Sequence, residues 1–227
     1  MGAITQSILQ RLGLPLRASV QWYLSKPRKY RYKHIAIRVL PGVFHPGFFF
    51  STRIILDFLS TQDLARKSFL EMGCGSGLIS IFAADKGALV TACDINSKAI
   101  ENTKQNSKIH NVEITVTASD LFQNIDGKFD WIVINPPYYP TKPKKEEEYA
   151  WYCGEEHEYF ERFFHSLSTF THAESKVLMI LSDVCDLEKI FSIASKNEFQ
   201  FEKILEKKVW ADGLNYLYWI KKSDRLS

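Results

Sequence analysis

Ser68-Phe69-Leu70-Glu71-Met72-Gly73-Cys74-Gly75-Ser76-Gly77 is a short apolar run that leads into alternating glycines, and it sets the expected fold. The apolar run predicts a buried strand, and the residues that follow, up to about Asp85, predict a helix. Glycines at such a junction let the chain turn sharply and let a ligand approach the backbone. The spacing is G-x-G-x-G, whereas the dinucleotide fingerprint is G-x-G-x-x-G, so an NAD-dependent oxidoreductase is disfavoured.

Strands and helices alternate around this segment. Further strands are predicted at residues 88–93, 112–117, 129–134 and 177–181, and helices at residues 97–110, 159–167 and 187–195. The runs 199–209 and 214–220 predict a closing antiparallel pair. The pattern predicts an α/β fold, a Rossmann-like, seven-stranded, doubly wound and mostly parallel sheet with an antiparallel last strand. Such a sheet binds its ligand at the carboxyl ends of its strands.

The N-terminal part differs in charge from the rest. Residues 1–50 are interpreted as a basic N-terminal extension, with helical and strand segments at 1–25 and 34–44, and residues 51–227 as the Rossmann-like domain. Ser51 or Thr52 is the predicted N-cap of the first helix of that domain. Residues 1–56 hold nine Lys or Arg and no Asp or Glu, and the densest group, interleaved with Tyr30 and Tyr32, is Lys26, Arg28, Lys29, Arg31 and Lys33. This group is either a solvated hairpin or helix end, or a patch that faces RNA or the ribosome, in which case the tyrosines would stack on bases.

Composition bounds the class of protein. The chain has 227 residues, 45% of them hydrophobic and 24% charged, which suits one sizeable globular core. No apolar run approaches the roughly 18 residues that a membrane span needs, and no signal peptide is predicted, so a cytoplasmic location without membrane contact is expected. The four cysteines form no C-x-x-C pair and are expected to be free and buried. The six histidines lack metal-ligand spacing, so no metal site is predicted.

Acidic residues follow the second and third predicted strands of the domain. Asp94 lies 21 residues after Gly73, where an acidic side chain accepts hydrogen bonds from ribose hydroxyls. Ile95 would then pack on an adenine face. After the next strand, Asp120 is placed to accept from an adenine amine, with the amide of Leu121 near the ring and Phe122 covering the base. The expected ligand is therefore an adenosine.

The fourth strand ends in Asn135-Pro136-Pro137-Tyr138. Two successive prolines lock the backbone and remove two N–H donors. The side-chain carbonyl of Asn135 and the backbone carbonyl of Pro136 can then accept both hydrogens of a flat NH2 group. Tyr138 offers a ring for stacking a planar substrate. The segment predicts the site that orients a nitrogen nucleophile.

These motifs together resemble the small-domain class I S-adenosylmethionine-dependent methyltransferases. The resemblance rests on Glu71-x-Gly73-x-Gly75-x-Gly77, Asp94, Asp120 and the N-P-P-Y signature, and it extends from about Phe44 to the end of the chain. The segment after the signature is similar, more loosely, to the HemK-like release-factor glutamine methyltransferases, through Ala150-Trp151, Gly154 and Glu161-Arg162-Phe163-Phe164. Two features depart from HemK-like proteins. Those proteins carry a Pro-rich acidic segment before their first helix, whereas residues 45–52 contain no Asp or Glu. In addition, residues 1–43 do not match the helical substrate domain of bacterial HemK proteins.

The resemblance implies S-adenosylmethionine as cofactor and methyl transfer to a planar amide or exocyclic amine nitrogen. The implied catalytic residues are Asn135, Pro136, Pro137 and Tyr138. Besides the residues of the motifs above, the implied cofactor-binding residues include Thr52 and Glu71. The carboxylate of Glu71 would bind the ammonium group of the methionine part. A protein glutamine is the favoured substrate, adenine N6 or guanine N2 of RNA is the alternative, and a non-catalytic binding module is an interpretation from another class.

Overall fold

The computed structural model describes residues 23–209 and 213–223. Nine strands are defined there: β1 (Arg28–Tyr32), β2 (Ile35–Val39), β3 (Ser68–Met72), β4 (Leu89–Asp94), β5 (Ile114–Ala118), β6 (Trp131–Ile134), β7 (Lys176–Ser182), β8 (Phe199–Val209) and β9 (Gly213–Lys222). The helices are α1 (Ser51–Leu59), α2 (Leu78–Asp85), α3 (Ser97–His110), α4 (Glu158–Leu167) and α5 (Leu187–Lys196). Short 3₁₀ turns lie at Glu146–Glu148 and Ser168–Phe170.

Strands β3 to β9 form one sheet in the order β5-β4-β3-β6-β7-β9-β8. The pairings among β3 to β7 are parallel, and β9 runs antiparallel to both β7 and β8. The predicted Rossmann-like α/β fold is therefore confirmed. The order reverses between β3 and β6, and in an open α/β sheet a ligand binds at such a point.

Apolar residues on both faces of the sheet build two separate cores. All four residues of β6 are buried, as expected for a strand covered by helices on both sides. Phe69 and Val133 pack on one face with α1 and α2, and Leu70 and Ile132 pack on the other with α4. This burial holds the strand ends, and thus the site, in a rigid frame.

The N-terminal hairpin of β1 and β2 is packed on the domain. Its inward face carries the cross-strand pairs Tyr32↔Ile35 and Tyr30↔Ile37. Tyr32 is 5% exposed, and its hydroxyl donates to Asp57 at 2.8 Å. Tyr30 is half-buried against the same core. The two tyrosines face the protein, so the expectation that they stack on RNA bases is wrong.

Side chains of α3 cover the open edge of β2. Asn102 and Asn106 accept from the backbone N–H groups of Leu40 and Arg38 at 2.9 and 3.0 Å, and both donate to the carbonyl of Arg38. His110 contacts the carbonyl of Ala36 at 2.8 Å. The three helix residues recur every four positions, so they lie on one face of the helix. They satisfy backbone groups that an edge strand leaves unpaired, and they fix the hairpin to the domain.

Several local predictions differ from the structure. The strand predicted at 34–44 is confined to β2, and β1 is the other strand of a hairpin, one of the two alternatives predicted for the basic segment. The N-cap of α1 is Phe50 without a side-chain bond, since the Ser51 hydroxyl binds Asn135 instead. Strand limits elsewhere shift by one or two residues. The helix predicted at 1–25 lies mostly outside the described residues, and the domain boundary at residue 50 stays a prediction.

The four cysteines, Cys74, Cys93, Cys153 and Cys185, are free and buried, as predicted. In residues 23–209 and 213–223, none of the helices has the length and apolar character that crossing a membrane requires.

Candidate functional site

A cleft opens at the carboxyl ends of β3, β4 and β6, where the strand order reverses. It gathers most of the residues predicted for the site. Those that line it are Thr52, Glu71, Gly73, Gly75, Asp94, Ile95, Asp120, Leu121, Asn135, Pro136, Pro137 and Tyr138. Gly77 and Phe122 are not among the lining residues.

The glycine-rich turn after β3 shapes the floor of the cleft. Gly75 has φ +53°, a conformation that favours glycine. A Cβ at Gly73 would meet no described atom within 4 Å, so the backbone is open to close approach there. Gly77 serves packing instead: a Cβ would lie 2.8 Å from Cγ2 of Thr103, which holds α2 close to α3.

Glu71 lies at the base of the cleft and is 4% exposed. One carboxylate oxygen, Oε2, accepts from the backbone N–H of Ser80 at 2.8 Å and from the Ser80 hydroxyl. Burial raises the pKa of Glu71 to about 8, although both bonds from Ser80 act to lower it. A cationic group in the cleft would favour the ionised form of this carboxyl.

Asp94 ends β4 and connects three backbone segments. Its Oδ2 accepts from the N–H of Gly75 and its Oδ1 from the N–H of Asn96, each at 2.9 Å. Burial raises the pKa of Asp94, and these N–H groups oppose that effect. Asp94 thus has a structural role that the sequence interpretation missed, because it holds the glycine-rich turn against the start of α3.

Asp120 and Phe122 follow β5 and have different environments. Oδ2 of Asp120 forms an ion pair with Nη2 of Arg162 on α4, at 2.8 Å. Phe122 is 5% exposed, and its ring stacks on Phe170 at 4.3 Å and on Phe163 at 5.6 Å between centroids. The structure therefore places Phe122 in the core below the cleft, where it does not cover a bound base.

The side chain of Asn135 is fixed from both ends. Its Nδ2 donates to the Ser51 hydroxyl at 3.1 Å, and its Oδ1 accepts from the Tyr138 hydroxyl at 2.9 Å. A carbonyl oxygen has two lone pairs, so Oδ1 can accept a second hydrogen bond from a substrate. Ser51 and Tyr138 together fix the orientation of the Asn135 amide.

Trp151 forms the wall beside this signature, and sequence reasoning assigned it no role beyond the family resemblance. Its backbone carbonyl accepts from the N–H groups of Tyr138 and Tyr139, at 3.0 and 2.8 Å. Its ring lies 5.3 Å from the ring of Phe44 and 5.0 Å from that of Phe49. Its indole N–H is buried and meets no acceptor among the described residues. Trp151 therefore joins its own loop to the segment around Phe44 and Phe49 and to the segment around Tyr138.

These residues fit S-adenosylmethionine in chemical character. The cleft has a carboxylate at the end of β4 for ribose hydroxyls and a buried carboxyl, Glu71, for an ammonium group. Gly73 and Gly75 line the same cleft, and so does Asn135 of the N-P-P-Y signature.

Comparisons with known proteins agree with this arrangement. The model of the methyltransferase small domain family matches residues 34–151. A Methanocaldococcus jannaschii protein named "Putative protein N5-glutamine methyltransferase" is 35% identical over 156 residues, which cover 66% of this chain and 77% of that protein. Ribosomal RNA small subunit methyltransferase C of Photobacterium profundum is 29% identical over 120 residues, which cover 52% of this chain but 35% of that protein.

Solved structures share the fold. A ribosomal protein L11 methylase from Lactobacillus delbrueckii subsp. bulgaricus superposes with a TM-score of 0.62 at 20% identity, over 82% of this chain and 84% of that one. The family match, the sequence relative and the residues of the cleft all indicate a methyltransferase. The chain therefore belongs to the methyltransferase small domain family, and it is an S-adenosylmethionine-dependent methyltransferase.

Proposed function

We propose that the protein methylates a planar amide nitrogen, with a protein glutamine as the substrate. The observation that carries the proposal is the fixed side chain of Asn135, which lines the cleft and is held by Ser51 at Nδ2 and by Tyr138 at Oδ1. Together with the carbonyl of Pro136, this oxygen can accept both hydrogens of an NH2 group. The nitrogen lone pair then points across the cleft, out of the plane of those two bonds.

The side chain of a glutamine offers a flat NH2 group of this kind. The Methanocaldococcus jannaschii relative, by its name, supports the same substrate class.

The main contribution of the protein to the reaction is to position the two reactants. S-adenosylmethionine, when bound, supplies a methyl group on a sulfonium. As the N–C bond forms and the C–S bond breaks, the electron pair stays on sulfur and the nitrogen then loses a proton to water. Holding the two reactants in line can contribute up to about 10 kcal/mol to the lowering of the barrier. Asn135 and Pro136 also stabilise positive charge that develops on the nitrogen.

The test is mass spectrometry of tryptic peptides and nucleosides from a strain that lacks the gene. We expect one glutamine-containing peptide to lose a methyl group relative to the parent strain, and the purified protein to restore it in vitro. A peptide pool without such a difference would contradict the glutamine proposal.

The second candidate is an exocyclic amine of an RNA base. The same pair of acceptors, Asn135 Oδ1 and Pro136 O, can hold the NH2 group of adenine or guanine, and the Photobacterium profundum relative is named for ribosomal RNA. An unmethylated nucleoside in the deletion strain, with unchanged peptides, would favour this candidate. The inward orientation of the hairpin tyrosines removes one reason for it.

A further inference from the structure

The outward face of the N-terminal hairpin is a compact cationic surface. Lys29 and Arg31 alternate with the inward-facing tyrosines of β1, and Arg38 of β2 lies directly opposite Lys29. We name Lys29, Arg31 and Arg38 the cationic face. All three are exposed. Lys29 and Arg31 lie about 7 Å apart along the strand, because each residue advances about 3.4 Å.

No acidic partner neutralises this face among the described residues. The nearby carboxylates contact other side chains: Asp85 contacts His34, and Asp57 pairs with Arg53. Lys29 opposite Arg38 is a pair of like charges, which weakens a hairpin rather than stabilising it. An uncompensated arrangement of this kind indicates that the charges serve a partner.

The other basic residues of the predicted patch have different roles. Arg28 points inward, where its guanidinium lies 3.8 Å from the ring centroid of Tyr23 and donates to the carbonyl of Tyr23. Lys33 is at the hairpin turn, with its amine 5.3 Å from the ring centroid of Tyr32. Of the five predicted residues, Lys29 and Arg31 thus share one face of the hairpin with Arg38.

The cationic face has a fixed position relative to the cleft. Asn102 and Asn106 bind the backbone of Arg38, so the hairpin is attached to α3. Phe44, which lines the cleft, follows Arg38 by six positions, so the two are at most about 22 Å apart along the chain. A polymer on the face can therefore reach the cleft mouth.

We propose that the cationic face binds the sugar-phosphate backbone of single-stranded RNA. Regularly spaced phosphates match regularly spaced cations on a rigid ribbon, and phosphate contacts position a protein without reading sequence. The proposal does not depend on which nitrogen is methylated, because RNA can carry the substrate or adjoin a protein substrate.

The test measures binding of a short, labelled single-stranded RNA of mixed sequence between about 50 and 200 mM salt. The variant Lys29→Gln/Arg31→Gln/Arg38→Gln is expected to flatten the log–log salt slope by about two units, at about 0.7 for each phosphate that is no longer neutralised. Arg31→Gln alone should flatten it by about 0.7. Affinity for S-adenosylhomocysteine and turnover on a free glutamine peptide should stay unchanged in both variants.

The matched control is Lys196→Gln/Lys207→Gln/Lys208→Gln, which removes the same charge from exposed lysines of α5 and β8. It should leave the slope unchanged. An equal flattening in the control, or wild-type binding without salt dependence, would overturn the proposal. Binding of polyglutamate or of anionic lipid vesicles that also requires the cationic face would overturn the assignment to RNA.

Discussion

The two halves of the cleft are built in different ways. The cofactor half consists of residues at or just after the carboxyl ends of two neighbouring strands, such as Glu71, Gly75 and Asp94. The acceptor half joins the Asn135–Tyr138 segment to Ser51 and Trp151, and these three segments are far apart in the chain. The first half therefore depends mainly on the strand ends, whereas the second depends on contacts between distant segments. Variants in the acceptor half should change turnover, and variants in the cofactor half should change binding.

The largest effect is expected from Asn135→Ala. Removing a group that acts chiefly in the transition state should lower kcat by about 100- to 1,000-fold, with affinity for S-adenosylhomocysteine little changed. Steady-state kinetics and calorimetry measure the two quantities. Ser51→Ala serves as the graded control, because it frees Asn135 Nδ2 without deleting the acceptor, and should cost less. Normal turnover of the Asn135 variant would contradict the claim that the acceptor half of the cleft controls turnover.

Asp94→Ala should weaken binding of S-adenosylhomocysteine by about 1.5–3 kcal/mol, the range for a hydrogen bond to a charged group. Part of this effect is expected from the glycine-rich turn, since the Gly75 N–H is left without its acceptor. Asp94→Asn keeps one carbonyl oxygen and should have a smaller effect. Calorimetry gives the affinities, and thermal unfolding shows whether the variants are folded. Unchanged affinity in a folded variant would contradict the ribose assignment.

Glu71→Gln tests the buried carboxyl through pH. In the folded protein the pKa of Glu71 is about 8, against an ordinary value of 4.5. Between these values the unfolded chain loses a proton that the folded chain keeps, so wild-type stability should fall as pH rises, by at most about 1.4 kcal/mol per pH unit. Glutamine has no such proton. The Tm of the variant relative to wild type should therefore rise across this window, and a constant difference would refute the assignment.

The smallest effect is expected from Arg162→Gln. Its ion pair with Asp120 is partly exposed, with side-chain exposures of 46% and 30%, so its removal should weaken S-adenosylhomocysteine binding by at most about 1 kcal/mol. The reason is that Arg162 orients the carboxylate proposed to accept from the adenine amine. In an Asp120→Asn background the same change should have no further effect. An equal weakening in both backgrounds would show that Arg162 acts elsewhere.

Most of the fold was predictable, because the spacing of apolar residues and the residue types at turns depend only on neighbouring positions in the chain. Helix α3 has the predicted limits, and its Asn96 N-cap accepts from Lys98. Strand β1 was predicted only as one alternative, a hairpin or a helix end, because its alternation of basic residues and tyrosines resembles a solvated charge run. Only burial of Tyr32 against Asp57 distinguishes the two.

The site was predictable to the extent that a residue's role follows from its place after a strand. Asp94 and Asn135 lie where parallel strands end, and those ends meet at one edge of the sheet. Phe122 also follows a strand end, but its neighbours Phe163 and Phe170 come from other segments and draw it into the core. Whether the Phe122 ring lies in the cleft or in the core depends on contacts with residues distant in the chain, and the sequence around Phe122 does not reveal those contacts.

The amino-acid sequence alone determined four features: the α/β class, the glycine-rich turn, the acidic residue at the end of β4 and the Asn135-Pro136-Pro137-Tyr138 signature. Each of them depends on neighbouring residues. Three-dimensional packing was needed to establish that Ser51 and Tyr138 hold the two ends of the Asn135 amide and that the Trp151 carbonyl accepts from the Tyr138 N–H. The same holds for the shared face of Lys29, Arg31 and Arg38. These features arise between segments separated by tens of residues, where hydrogen-bond partners and burial select a single orientation.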